Sequence, residues 1–372
     1  MKLVVIGAGP IGLAAALGGV RRGFDVTVLE RDEVGAALRL WGPTKFFSPL
    51  VMNVPPGAAD LVSLPAPEAL LTGAEFADQV LVPLASSEPL VGRIQTGHRV
   101  LSVSRLGMSR GELVGHPVRG ERSFRILVET PAGERELEAD AVIDASGVGL
   151  PTPLIAQHER SAVLRIITTL GELYARRDEL AGRKIVLVGH GHSAANAIHV
   201  LASVAVEAPF TRVVWAVRAP NLRPCVEVAS DPLPERARIC AGANALAAKP
   251  PAWLRVERRA RVEVIEPTRV LLSGGRVAES DIIVSLCGYR PDLSMLSELA
   301  LDIAPASEGT GGIARRLANV TDCLATPKLD PADLASGEPR FHLAGAKSYG
   351  RARTFLLQTG YAQLETMLDG LA

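Results

Sequence analysis

Six residues near the amino terminus, Gly7-Ala8-Gly9-Pro10-Ile11-Gly12, have the glycine spacing with which a backbone wraps a diphosphate. Gly7 makes the tight turn, Gly9 lets the main chain approach the pyrophosphate, and Gly12 lets a helix pack close to the preceding strand. Pro10 and Ile11 open that helix, whose unpaired N–H groups and dipole favour an anion. Glu30 ends the next strand about twenty residues on, where a carboxylate accepts hydrogen bonds from both ribose hydroxyls. Arg31 follows it as a further contact candidate. The spacing recurs in Gly189-His190-Gly191-His192-Ser193-Ala194, with Ala194 as the third small residue. Here the following strand ends on Val217-Arg218, without a carboxylate. An acid at that place would repel a 2′-phosphate, whereas an arginine pairs with it bidentately, so Arg218 selects NADPH over NADH. Arg223 is a second candidate phosphate ligand, and a solvated surface arginine is the competing reading of Arg218.

Two fingerprints imply two dinucleotides: NADPH as hydride donor, and FAD as the group that accepts the hydride. Each turn has the flanks the motif requires. Leu3-Val4-Val5-Ile6 precedes the first and an Ala/Leu-rich helix to about Arg22 follows it, then the strand Asp25 to Leu29. Lys184 to Val188 precedes the second, followed by a helix to about Val204 and the strand Arg212 to Val217. Unbroken apolar strands of this kind suit parallel sheets covered on both faces. Between the copies, Phe124 to Val128 and Glu134 to Glu138 flank Pro131-Ala132-Gly133 and predict a hairpin. Near the end, Leu357, Tyr361, Leu364 and Leu368 recur at helical spacing, so one face of a last helix packs on the sheet. The expected fold is α/β, with two Rossmann-like dinucleotide-binding domains and the NADPH domain inserted in the FAD domain. The expected divisions are 1–160 and 286–372 for FAD, and 161–285 for NADPH.

Composition narrows the function. Lys plus Arg and Asp plus Glu both number 40, so no basic excess is available for a nucleic acid backbone. The densest basic stretch, Arg255 to Arg261, alternates with Val and Glu and reads as a solvated strand face. No apolar run approaches the roughly 20 residues of a membrane helix, and Met1 to Gly7 runs straight into a core strand with no room for a signal peptide. Cys225, Cys240, Cys287 and Cys323 are scattered without a C-x-x-C pair, which argues against a disulfide framework and a metal site. The expectation is a cytoplasmic monomer or homodimer acting on a small molecule and O2, with no nucleic acid, membrane or metal.

The sequence resembles the two-dinucleotide-binding flavoproteins, the superfamily of thioredoxin reductase and the flavin-containing monooxygenases, over essentially its whole length. Gly7 to Gly12 with Glu30 matches the FAD motif, and Gly189 to Ala194 the NADPH motif. Asp144-Ala145-Ser146-Gly147 and Gly288-Tyr289-Arg290-Pro291 match the crossovers where the chain passes between domains. Trp41-Gly42, Phe47-Ser48-Pro49, Asp231 to Arg236 and Gly345 to Arg351 resemble compact bacterial NADPH-dependent FAD monooxygenases, some from arsenic-resistance operons. Three departures stand out. The dithiol is missing, the F-x-G-x-x-x-H fingerprint of typical monooxygenases is not evident before Gly189, and the family's Gly-Asp at the flavin ribityl becomes Gly345-Ala346.

The resemblance also nominates residues for chemistry. Ser146 and Gly147, with Gly345 and Ala346, are expected at the flavin, and Lys45 and Ser48 lie where the superfamily's chain passes over it. Lys347 and Arg351 follow the Gly345 turn, where positive charge would stabilise reduced flavin; Tyr349 could orient substrate or simply pack. The implied activity is an NADPH-dependent FAD monooxygenase placing one oxygen atom on a small, soft, S-, N- or As-containing substrate. Its rivals are a reductase or oxidase without oxygen insertion, and a flavin redox sensor.

Overall fold

Leu3, Val4, Val5 and Ile6 are all buried, as expected of a strand covered on both faces, and their strand Lys2–Ile6 is the centre of a five-stranded sheet. The computed structural model describes residues 1–320, 324, 328–352 and 354–372. The order across this sheet is Phe341–Leu343, Ala141–Asp144, Lys2–Ile6, Asp25–Leu29 and Ile94–Gln95, every pair parallel. The chain leaves the central strand in one direction and returns on its other side. The carboxyl ends of Lys2–Ile6 and Ala141–Asp144 therefore bound a topological switch point, the place where such sheets bind ligands. Helix Pro10–Arg21 covers one face together with Leu357–Asp369, in which Tyr361, Leu364 and Leu368 are buried. On the other face, the antiparallel strands Arg99–Arg105, Phe124–Thr130 and Gly133–Ala139 join a core of Val4, Ile6, Val142, Val103, Ile126 and Phe341. The expected hairpin is present, with Thr130 paired to Gly133 at its tip.

Below that core, Glu338 receives two buried arginines. Arg105 Nε lies 2.8 Å from Oε1 and Arg119 Nη2 lies 2.9 Å from Oε2, with all three side chains at 2 % exposure or less. The Arg105 guanidinium also stacks over the Phe124 ring, 3.8 Å from its centroid.

The second unit repeats the plan. Its sheet runs Leu254–Arg258, Arg212–Val217, Lys184–Val188, Ile282–Ser285 and Arg165–Ile167, again all parallel, with Lys184–Val188 central. Helices His192–Glu207 and Pro234–Ala248 pack against each other and on this sheet, and three antiparallel strands, Val262–Glu266, Arg269–Leu272 and Arg276–Glu279, complete the unit. The chain is thus α/β, with one Rossmann-like unit inserted in another. The compact units comprise Met1–Leu38, Pro49–Leu150 and Arg290–Ala372 in the first, and Arg39–Ser48 and Pro151–Tyr289 in the second. Among the described residues, no helix is long and apolar enough to cross a membrane.

Candidate functional site

In the first unit the glycine turn is tight because its carbonyl and helix nearly touch. Gly7 has φ +99°, and a Cβ on Gly12 would lie 1.8 Å from the Gly7 oxygen. A Cβ on Gly9, by contrast, would meet nothing within 4 Å. The protein leaves open the side from which a diphosphate would approach, and fits that group. Gly9 caps the helix without any side-chain hydrogen bond, so the first-turn N–H groups are left to a ligand. Glu30 is oriented by two backbone donors, Ala8 N at 2.7 Å and Asp32 N at 3.0 Å. A carboxylate has about four acceptor positions, so capacity remains for ribose hydroxyls. Arg31 is exposed and paired with Asp32.

Two further loops meet this turn at the switch point. Ser146 Cα lies 3.0 Å from where a Gly7 Cβ would be, and Gly345, at φ +65°, lies against Ile11. Asp144, fully buried, ends its strand and organises both loops. Its Oδ1 accepts from Ser146 N (3.0 Å) and Ser146 Oγ (2.6 Å), and its Oδ2 lies 2.6 Å from Lys347 Nζ. Lys347 also donates to Ser146 Oγ at 2.9 Å. The Lys347 charge is therefore matched inside the protein, while Ser146 and Gly147 remain at least partly exposed. Ala346 carries no polar group; the acid of this corner is Asp144, on the neighbouring strand.

Arg351 and Tyr349 also have protein partners. Arg351 Nε lies 2.6 Å from Glu308 Oε2, and Arg290 Nη2 lies 2.6 Å from Oε1. Glu308 adopts φ +60° between these two arginines, and the Arg351 hydrogen bond first of all holds its carboxyl below the usual range. Tyr349 is buried, accepts from Gln363 Nε2 at 2.6 Å and meets Phe355 edge-on; burial pushes its phenol up.

In the second unit Gly189, at φ +125°, repeats the tight turn: a Cβ there would lie 2.3 Å from the Leu286 oxygen. Trp215 Nε1 donates to the Gly189 carbonyl at 2.7 Å and fixes its direction. Gly191 caps helix His192–Glu207 without a side-chain hydrogen bond and faces open space, and Ala194 is fully buried beneath the turn. Ser193 belongs to the first helical turn. His192 meets the Phe47 ring edge-on with centroids 5.2 Å apart, so Arg39–Ser48, which includes Lys45 and the buried Ser48, packs with this unit. Lys45 lies close enough to Glu235 to help hold its carboxyl down, after the larger effect of Arg238. Asp231 and Arg236 form a buried bidentate pair, both hydrogen bonds 2.7 Å, that anchors the start of helix Pro234–Ala248. Arg218 is exposed just past its strand, and Arg223 pairs with Glu227 at 3.3 Å.

Of the cysteines, Cys225 and Cys240 are buried in this unit. Burial pushes the Cys225 thiol up to about 12 and raises that of Cys240. Cys287 is half-buried, and Cys323 lies outside the described residues. Asp144 enters the sequence reading only as the first residue of the Asp144-Ala145-Ser146-Gly147 crossover, with no role of its own, and Glu308 and Trp215 are not singled out there. The one local signal was an acid ending the apolar run Ala141-Val142-Ile143.

A model of the pyridine nucleotide-disulphide oxidoreductase family matches residues 1–313. No curated protein matches the sequence. Among solved structures, a bacillithiol disulfide reductase from Bacillus cereus is similar at TM-score 0.74 and 16% identity, over 99% of this chain and 98% of its own. A flavin-containing monooxygenase from Stenotrophomonas maltophilia is similar at 0.67 and 21%, over 99% and 97%. The thioredoxin reductase of T. acidophilum is similar at 0.59 and 17%, over 100% and 98%. At these identities the likeness establishes the fold, which reductases and monooxygenases share.

Proposed function

This chain belongs to the pyridine nucleotide-disulphide oxidoreductase family, and we propose that within it the protein is an NADPH-dependent FAD monooxygenase. It is an oxidoreductase whose cofactors are FAD and a nicotinamide dinucleotide. The finer reading is that one atom of O2 passes to a small, soft substrate containing S, N or As. The observation that favours it over disulfide exchange at a buried pair is the condition of Cys225 and Cys240. Disulfide exchange requires an accessible thiolate of low pKa, and these two thiols are buried and shifted the opposite way.

Bound FAD supplies the acceptor for the NADPH hydride and the centre that reacts with O2. The protein's own groups bind and orient. The turn at Gly9, Pro10 and Ile11 holds the diphosphate, Glu30 the ribose, and Ser146 the flavin side of the crossover, fixed from behind by Asp144 and Lys347. Gly189 to Ala194 hold the NADPH diphosphate, and Arg218 reads its 2′-phosphate.

The stoichiometry of NADPH consumption tests the reading. With thioethers, amines and trivalent arsenicals supplied in turn, one of them should speed NADPH oxidation and lower the hydrogen peroxide formed per NADPH. Peroxide equal to NADPH across the whole panel would identify an oxidase. NADPH oxidation dependent on an added disulfide would identify a reductase working through Cys287 or Cys323.

A further inference from the structure

The basic stretch Arg255 to Arg261 belongs to the edge strand Leu254–Arg258 and the turn after it, beside the strand that ends at Arg218. The two strands are parallel and in register, with Val217 paired to Arg258. Beyond that pair the backbones stay joined: Ala260 N donates to Val217 O at 3.0 Å, and Arg259 N to Ala219 O at 3.4 Å. Arg218 lies between those two acceptors, so Arg218 and Arg259 are neighbours at the carboxyl end of the sheet, about one strand spacing of 5 Å apart.

Four of the surrounding arginines are spent. Arg258 donates to the carbonyls of Asn221 (3.1 Å) and Ala247 (2.6 Å), Arg276 and Arg255 share Glu257, and Arg223 is paired with Glu227. Arg218 and Arg259 are both exposed, and neither guanidinium has a hydrogen bond or ion pair to any described residue. Arg259 moreover adopts φ +50°, a conformation that favours glycine. Its backbone is held there by Ser273 Oγ and Arg276 Nη2, which both donate to its carbonyl. Two arginines without side-chain partners, at neighbouring backbone positions and one of them on a strained residue, offer positive charge that an anion can match.

We infer that Arg259 is a second reader of the nucleotide 2′-phosphate and clamps it against Arg218. The inference rests on the NADPH reading above and names the residue that completes it. One arginine offers a single planar fork; two forks from adjacent strands can engage separate edges of one phosphate, and a ribose without that phosphate gives them nothing to bind.

The test measures binding of 2′,5′-ADP and of 5′-AMP to the FAD-loaded enzyme by calorimetry, independently of turnover. Arg259→Gly removes the guanidinium and suits the left-handed backbone, so the variant should fold with an unchanged melting temperature. It should bind 2′,5′-ADP about tenfold or more weakly, as expected for loss of a charge-assisted pair, with 5′-AMP affinity unchanged. Arg259→Lys should recover part of the loss, since it keeps the charge without the fork. If Arg218→Ala abolishes discrimination while Arg259→Gly preserves it, the clamp is wrong and the NADPH reading stands. If the unaltered enzyme binds both probes equally, the NADPH reading fails and the clamp fails with it.

Discussion

Lys347 and Asp144 form an ion pair of 2.6 Å in which neither side chain is more than 1 % exposed, and Ser146 Oγ bridges the two. The pair joins the strand end at the switch point to the turn that opens at Gly345. Its charges cancel, so its contribution at this corner is position: it holds the Ser146 hydroxyl beside the Gly7 turn.

Removing one partner of such a pair leaves an uncompensated buried charge, at about 3–5 kcal/mol. Lys347→Met should therefore lower the melting temperature and release FAD. Asp144→Asn combined with Lys347→Met removes both charges and should restore most of the stability. FAD content and thermal unfolding of the single and double variants check this. Equal damage from the double variant would mean that charge balance is not what the pair supplies.

The two glycines of the first turn should fail differently. A valine at Gly9 points into open space, so Gly9→Val should fold and yield a colourless apoprotein. Gly12→Ala places a Cβ 1.8 Å from the Gly7 oxygen and should fail to fold. A yellow, FAD-saturated Gly9→Val protein would contradict the diphosphate assignment.

The Glu338 centre makes stability depend on pH. Burial alone would raise this carboxyl, but hydrogen bonds from Arg119 and Arg105 outweigh it and the net direction is down. Since its folded value lies below the unfolded value of about 4.3, the unfolded state binds more protons between the two. Its contribution is complete above that pH and is lost as pH falls through the folded value. The melting temperature should thus decline steeply below about pH 4. Glu338→Gln should be less stable at neutral pH and show a shallower acid decline.

Burial pushes the Cys225 thiol up to about 12, so at pH 8 it stays overwhelmingly in the neutral form. Cys225 should resist alkylation in the folded enzyme and react once the protein is unfolded, as followed by mass spectrometry. Cys225→Ser should leave NADPH oxidation unchanged. Rapid labelling of native Cys225, or loss of turnover in the variant, would reopen thiol chemistry.

Both glycine turns, Glu30 and the strands and helices around them were legible because each depends on residues close in sequence: apolar strand, spaced glycines, helix, acid. The partners of Lys347, Arg351 and Arg105 were not legible. Each pairs across the chain, and sequence patterning carries no term for a carboxylate that arrives from another element. Lys45 and Ser48 illustrate a second limit. Chain order carries no sign of which unit their segment packs on; Phe47 packs on the second unit's core and its ring meets His192. A short connecting segment does not announce which unit it will cover. Arg259 illustrates a third. Its alternating neighbours read as a solvated strand face, and only the register with Val217 and Arg218 brings it beside the phosphate candidate.

The most direct measurement is the mass of the product formed under 18O2 with NADPH and the substrate that most lowers peroxide yield. A monooxygenase adds one labelled oxygen to the product and puts the other into water, so each product molecule should gain one 18O atom, with one NADPH consumed per product beyond the NADPH that forms hydrogen peroxide. Product without label, formed while NADPH is consumed, would contradict oxygen insertion and leave electron transfer alone as the activity.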